Sequence, residues 1–301
     1  MYDAIAANRR NTFLLIAVMT AVLMLIGYAF GLYLGLGEGG LIIAAIVAAL
    51  WIGISYFHGD SILLAASRAH EIHKADHPQL FNVVEELTIA AGLPMPKIYI
   101  IDDSAPNAFA TGRDPQNASV AITRGLLEKL NRVELQGVMA HELAHIQNRD
   151  ILYATLIGAI AGAIILLSDL FLRALRVGVG RRSSRSSKSS KSSGGLALIV
   201  LVGMILAVLA PVIARLLQLA VSRQREYLAD ASAALLTRYP EGLASALEKI
   251  ARGPDPLEVA SRATQHLYIV NPFEKGRWSL DSLWSTHPPL EERIRRLRAM
   301  R

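Results

Sequence analysis

Four stretches of this chain contain no acidic or basic residue: 11–37, 39–57, 151–168 and 192–214. They are 27, 19, 18 and 23 residues long. At the rise of an α-helix, 18 residues cover about 27 Å, close to the thickness of bilayer hydrocarbon. A helix of that length with no charge has no polar face to turn toward water. The hydrophobic share of 52% is concentrated in these runs, so the chain reads as an integral membrane protein. The first run is too long for the apolar part of a signal peptide, and no A-x-A site lies within it or between it and Glu38. Residues 11–57 are therefore expected to form a hairpin of two spanning helices. Arg9 and Arg10 before it favour a cytoplasmic N-terminus. The expected organisation is 1–57 as this hairpin, 58–150 as a folded part, 151–218 as a second hydrophobic hairpin, and 219–301 as a helical C-terminal part.

The second hairpin carries a loop, 173–195, that is rich in Ser and has seven basic residues and no acid. Its composition is that of a disordered linker. If both flanking segments span, these charges lie opposite the 58–150 part, against the positive-inside rule. A hairpin that enters without crossing removes the conflict, and the sequence leaves both arrangements open. The absence of cysteine excludes disulfides and thiolate metal sites. The net charge of +6 suits anionic lipid, and no basic pattern interleaved with aromatics points to nucleic acid.

Between the hairpins, residues 76–91 read as a helix ended by Gly92 and Pro94. Residues 97–101 (KIYII) and 118–123 are strand candidates, and a helix starts at Arg124. His70, His73 and His77 have the spacing of one helix face; a solvated juxtamembrane helix is the expected outcome there, ahead of a second metal cluster.

His141-Glu142-Leu143-Ala144-His145 then presents the pattern H-E-x-x-H. On a helix, residues four apart lie about 40° from each other on one face. Two imidazoles placed so grip one metal ion, and the Glu between them reaches water on it. Asn131 and Glu134 have capping-box spacing at the helix start. With two His, one more ligand and an open position, Zn2+ (one per chain) lowers the pKa of its water to about 7. Glu142 is the candidate general base. A helix unbroken past His145 would put it about 9 Å from Ile151, the first residue of the next apolar run.

Glu226 and Asp230 are four apart on a later helix. Glu226 is the candidate third ligand. Asp230 is the candidate partner for the outer N–H of a ligating imidazole. His287 and Arg293 are of the right types to stabilise a tetrahedral oxyanion; the alternative for the C-terminal arginines is a solvated or lipid-facing helix. Asn107, Ala108, Phe109 and Ala110 lie in a short extended segment, 106–112, read either as an ordinary hairpin strand or as an edge strand that holds substrate main chain.

Taken together, GLPMPKIYIID, PNAFATG, HELAHIQNRD, REYLAD and STHPPLEERI resemble the HtpX family of membrane-bound zinc metalloproteases, relatives of the CAAX prenyl endopeptidases. The resemblance covers residues 92–296 and the order of the apolar pairs; the Ser- and Arg-rich loop matches no motif of the family. It implies an α+β fold, mostly helical, with two apolar helical hairpins and a zincin-type catalytic domain carrying a small sheet. It implies His141, His145 and Glu226 as zinc ligands and Glu142 as base. The expected function is a multi-pass endopeptidase with its catalytic site on the cytoplasmic side of the cell membrane, acting in quality control of misfolded membrane proteins. The alternatives are a processing peptidase for lipidated tails and a non-catalytic scaffold with a structural metal site.

Overall fold

The computed structural model describes residues 2–36, 39–182, 193–251, 269 and 288–300. By internal contacts the chain divides into two units, one of 9–54 and 156–218, the other of 1–8, 55–155 and 219–301.

Among its described residues the first unit is helical apart from the turn at 34–36. It holds most of α1 (Tyr2–Tyr33) and α2 (Gly39–Ala66), and parts of α6 (Asp150–Arg182) and α7 (Ser193–Thr237). Among the described residues three helical stretches are long and apolar enough to cross a membrane: Ile16–Tyr33, Gly39–Ala66 and Asp150–Arg176. The fourth expected run contributes a shorter apolar stretch, Gly203–Ile213. Small residues let α1 and α2 meet at backbone distance, since a Cβ on Gly31 would stand 2.4 Å from Gly40 Cα. Phe171 packs between the rings of Phe30 and Tyr33, at centroid distances of 5.5 and 6.0 Å.

The second unit contains a four-stranded mixed sheet in the order β1-β2-β4-β3. Its strands are β1 (Ala69–Ile72), β2 (Lys97–Ile101), β3 (Ala108–Gly112) and β4 (Ala118–Thr123). β2 and β4 run parallel, and β1 and β3 flank them antiparallel. Helix α3 (Pro78–Ala91) starts where Pro78 fixes a first-turn φ and His77 Nδ1 accepts from Leu80 N–H; it stops at Gly92, whose φ of 65° is left-handed. Helix α4 (Arg124–Lys129) follows β4 and is capped by Thr123. The 58–150 part thus matches the expected elements except near its start. The stretch with His70 is the strand β1, because it pairs with β2 from Ala69 opposite Ile101 to Ile72 opposite Ile98. The three histidines are accordingly dispersed: His70 lies on β1, His73 lies beyond its end, and His77 caps α3.

Helix α5 (Arg132–Gln147) carries H-E-x-x-H and opens on the full capping box of Asn131 and Glu134. Gly137 lets α8 (Pro240–Ala251) close on it, since a Cβ there would lie 2.6 Å from Leu243 N. One core joins Leu80, Val84, Ile98, Val120, Leu135, Val138, Leu143 and Leu247, so the motif helix is clamped between the sheet side and α8. Helix α9 (Leu290–Arg298) packs on α8 as well.

Helix α5 does not continue into α6 as expected. It ends at Gln147, Arg149 takes a left-handed φ of 58°, and α6 starts afresh at Asp150.

Candidate metal centre

α5 and α7 bring three side chains to one point. Among the described residues, His141, His145 and Glu226 form the one group of three or more metal-type side chains whose ligand atoms all lie within 4.8 Å. The two Nε2 atoms are 3.2 Å apart. Glu226 Oε1 lies 3.5 Å from His145 Nε2, and its Oε2 lies 3.6 Å from His141 Nε2. Two ligands each about 2.0–2.1 Å from a tetrahedral ion stand roughly 3.3 Å apart. The donor set and its spacing therefore fit one divalent cation of the zinc type.

The other ring nitrogens explain why the Nε2 atoms face inward. His141 Nδ1 is 3.0 Å from Asp230 Oδ1, the partner expected from the four-residue spacing to Glu226. His145 Nδ1 is 3.2 Å from Asp150 Oδ2, a residue absent from the sequence-based site. Each carboxylate keeps the ring proton on Nδ1 and frees the Nε2 lone pair. The flanking letters of N-R-D carried a signal for Asp150, since Asn is a favoured helix-end residue and Asp a favoured first-turn residue.

Both carboxylates are held by buried arginines. Arg293, fully buried, grips Asp230 with Nε at 2.8 Å and Nη2 at 2.7 Å. Its Nη1 donates to Ile269 O at 2.9 Å and lies 3.1 Å from Glu226 Oε2. Arg225 Nε is 3.6 Å from Asp150 Oδ1. With Glu142, the cluster sets four buried carboxylates against two buried guanidiniums. One divalent cation makes up the missing charge with both imidazoles neutral, which is what a buried site requires. Without an ion, protons take that place. Burial alone would lower the imidazole pKa of His145, but Asp150 and Glu226 outweigh it and push it up to about 10. His141 is likewise raised, with Asp230 and Glu226 overcoming burial. Burial raises Glu142, which is 1% exposed.

The remaining expected residues divide. Arg293 reaches the cluster: its donors meet Asp230, Glu226 and Ile269 in the posture of a brace, and its Nη2 also lies 3.4 Å from His141 Nε2. His287 lies outside the described residues. β3 is an edge strand, as the substrate-holding reading needs. Thr123 N–H donates to Asn107 O at 2.9 Å, so by antiparallel alternation Asn107 and Phe109 turn their main chains to β4, while Ala108 and Ala110 face the outer edge. Ala108 O already accepts from Ile269 N at 2.9 Å. Phe109 is a core side chain.

Residues 74–301 match the family described as Peptidase family M48. The chain is 46% identical to a "Protease HtpX homolog" of Dictyoglomus thermophilum over 299 residues, 99% of this chain and 94% of the relative. It is 45% identical to the protein of the same name from Thermoanaerobacter pseudethanolicus over 300 residues, 100% of this chain and 98% of the relative. In fold it is similar to the crystal structure of S. mikatae Ste24p, with a TM-score of 0.52, 19% identity, and coverage of 99% of this chain and 67% of the other.

Proposed function

The chain belongs to peptidase family M48 together with the HtpX homologues, and from that premise we propose that this membrane metalloprotease is a zinc endopeptidase for membrane proteins. The observation that carries the metal is the convergence of two Nε2 atoms and one carboxylate at 3.2–3.6 Å, each imidazole backed by a carboxylate. When bound, the ion supplies Lewis acidity, lowering the pKa of water and polarising a scissile carbonyl. The chain does the rest. Glu142, one residue after His141 and on the same rigid helix, takes a proton from water and later gives it to the leaving amine. Its burial raises its pKa, which makes it the stronger base for the first transfer. Three protein ligands leave a coordination position free, the arrangement of catalytic sites and not of closed structural ones.

The substrate reading rests on the apolar helices and on β3. Three helical stretches suit a bilayer, and β3 is an edge strand whose outer main-chain groups, apart from Ala108 O, which Ile269 N occupies, suit an extended peptide. Segments leaving the membrane in extended form meet both conditions, which points to misfolded or partly extracted membrane proteins and to quality control. The catalytic unit lies on the cytoplasmic side in this account, as Arg9 and Arg10 suggest.

Two measurements test the reading. Chelator-stripped protein in detergent is expected to lose casein hydrolysis and to regain it with one equivalent of zinc. Full activity after complete stripping contradicts the metal. Because the chain has no cysteine, Ser104→Cys gives a single label site on an exposed residue. Labelling of intact cells by an impermeant maleimide would place the catalytic unit outside.

A further inference from the structure

The expected site accounts for one of the two carboxylate–arginine pairs beside the histidines, His141–Asp230–Arg293. The other, His145–Asp150–Arg225, has no assigned task. Asp150 and Arg225 are 4% and 5% exposed, and burial of either charge is unfavourable unless it is paired. Oδ2 of Asp150 reaches His145 Nδ1 at 3.2 Å, and Oδ1 lies 3.6 Å from Arg225 Nε. The Arg225 guanidinium in turn lies over the ring of Tyr153, 5.2 Å from its centroid.

We propose that Asp150, held by Arg225, is a positioning residue for the metal ligand His145, and that the break between α5 and α6 serves to bring it there. The inference rests on the zinc peptidase reading and extends it to residues outside the ligand set.

Helix geometry gives the reason for the break. On an unbroken helix, residue 150 would lie five positions past His145, about 140° around the axis and about 7.5 Å along it. Its carboxylate would point away from the ring. A single left-handed residue, Arg149 with φ 58°, turns the chain so that Asp150 faces back onto His145. L side chains other than Gly, Asn and Asp rarely adopt that conformation, so the surrounding structure must enforce it. Asp150 then opens α6, where a carboxylate is favourable. Accepting from Nδ1–H, it keeps the His145 Nε2 lone pair directed at Glu226 and His141 Nε2. The Asp150–Arg225 pair is looser than the two short contacts between Arg293 and Asp230, and His145 is the less buried of the two histidines. This side of the site therefore depends most on its anchor.

The test is metal affinity of full-length protein in detergent, by competition with a chelator, together with the visible absorption of the cobalt(II)-substituted form. Asp150→Asn offers Nδ1 a donor as readily as an acceptor, so it should weaken affinity by about 10–100-fold and alter the cobalt bands. Arg149→Gly, which adopts the left-handed turn freely, should leave both unchanged. Arg149→Val, which resists it, should weaken affinity. Asp150→Asn with the affinity and spectrum of wild type overturns the inference. If that variant does not fold, Arg225→Gln is read instead: a smaller loss of affinity supports the role, and none overturns it. A wild type that takes up no stoichiometric metal would defeat the peptidase reading itself, which is a separate outcome.

Discussion

Arg293 shows how much of this site is built to manage buried charge. Its guanidinium touches Asp230, Glu226 and the carbonyl of Ile269, so its loss leaves two carboxylates buried without their cation. Breaking a buried pair in this way costs roughly 3–5 kcal/mol. Arg293→Met is therefore expected to lower the unfolding temperature of metal-stripped protein sharply, as well as its affinity for zinc. A variant as stable as wild type with only a reduced kcat would restore the oxyanion role. At this scale the sequence was informative where spacing alone sufficed. His141 and His145 share a face by the four-residue rule, Glu142 neighbours His145 at three-residue spacing, and Glu226 and Asp230 are again four apart. Asp150 was missed because its position depends on one backbone torsion at Arg149, a residue type that does not announce a left-handed turn.

Helix α5 is held at its start by Glu134, which caps Asn131 N–H and accepts from Ser245 Oγ and Lys249 Nζ of α8, each at 2.7 Å. The carboxylate is buried, which alone would raise its pKa, but Lys249, Ser245 and the cap hold it below the ordinary range. A depressed carboxylate stabilises the fold above its unfolded pKa of about 4.3, and the contribution fades as pH falls through the lower folded value. Glu134→Gln should thus cost about 1–2 kcal/mol at pH 7, with Lys249 partly exposed and its share screened by solvent. Thermal melts should show the gap to wild type narrowing below pH 4. A gap that is constant from pH 7 to 3 would contradict the ionic part. The capping box, the strands β2 and β4, and the helix stop at Gly92 were legible because each is a local signal. β1 was not, because Ala69–Ile72 becomes a strand only by pairing with β2, some 30 residues away.

Across the whole molecule, the apolar runs are concentrated in the unit of 9–54 and 156–218. The helical unit depends on small residues where lipid gives no hydrophobic drive for helices to associate. Gly31→Leu, placed where even an added Cβ would collide with Gly40 Cα, should separate α1 from α2. Loss of a crosslink between cysteines introduced at Gly27 and Ala44 would report it, and an undiminished crosslink would contradict the packing. The catalytic unit carries the central claim, that His141, His145 and Glu226 hold one zinc ion while Glu142 moves the proton. The most direct measurement is zinc content and peptide hydrolysis side by side in wild type and Glu142→Gln. The near-isosteric amide should retain about one zinc per chain, yet it cannot accept a proton, so hydrolysis should fall by at least 10²–10⁴-fold. Zinc-loaded Glu142→Gln that still cleaves peptide near the wild-type rate would contradict the account.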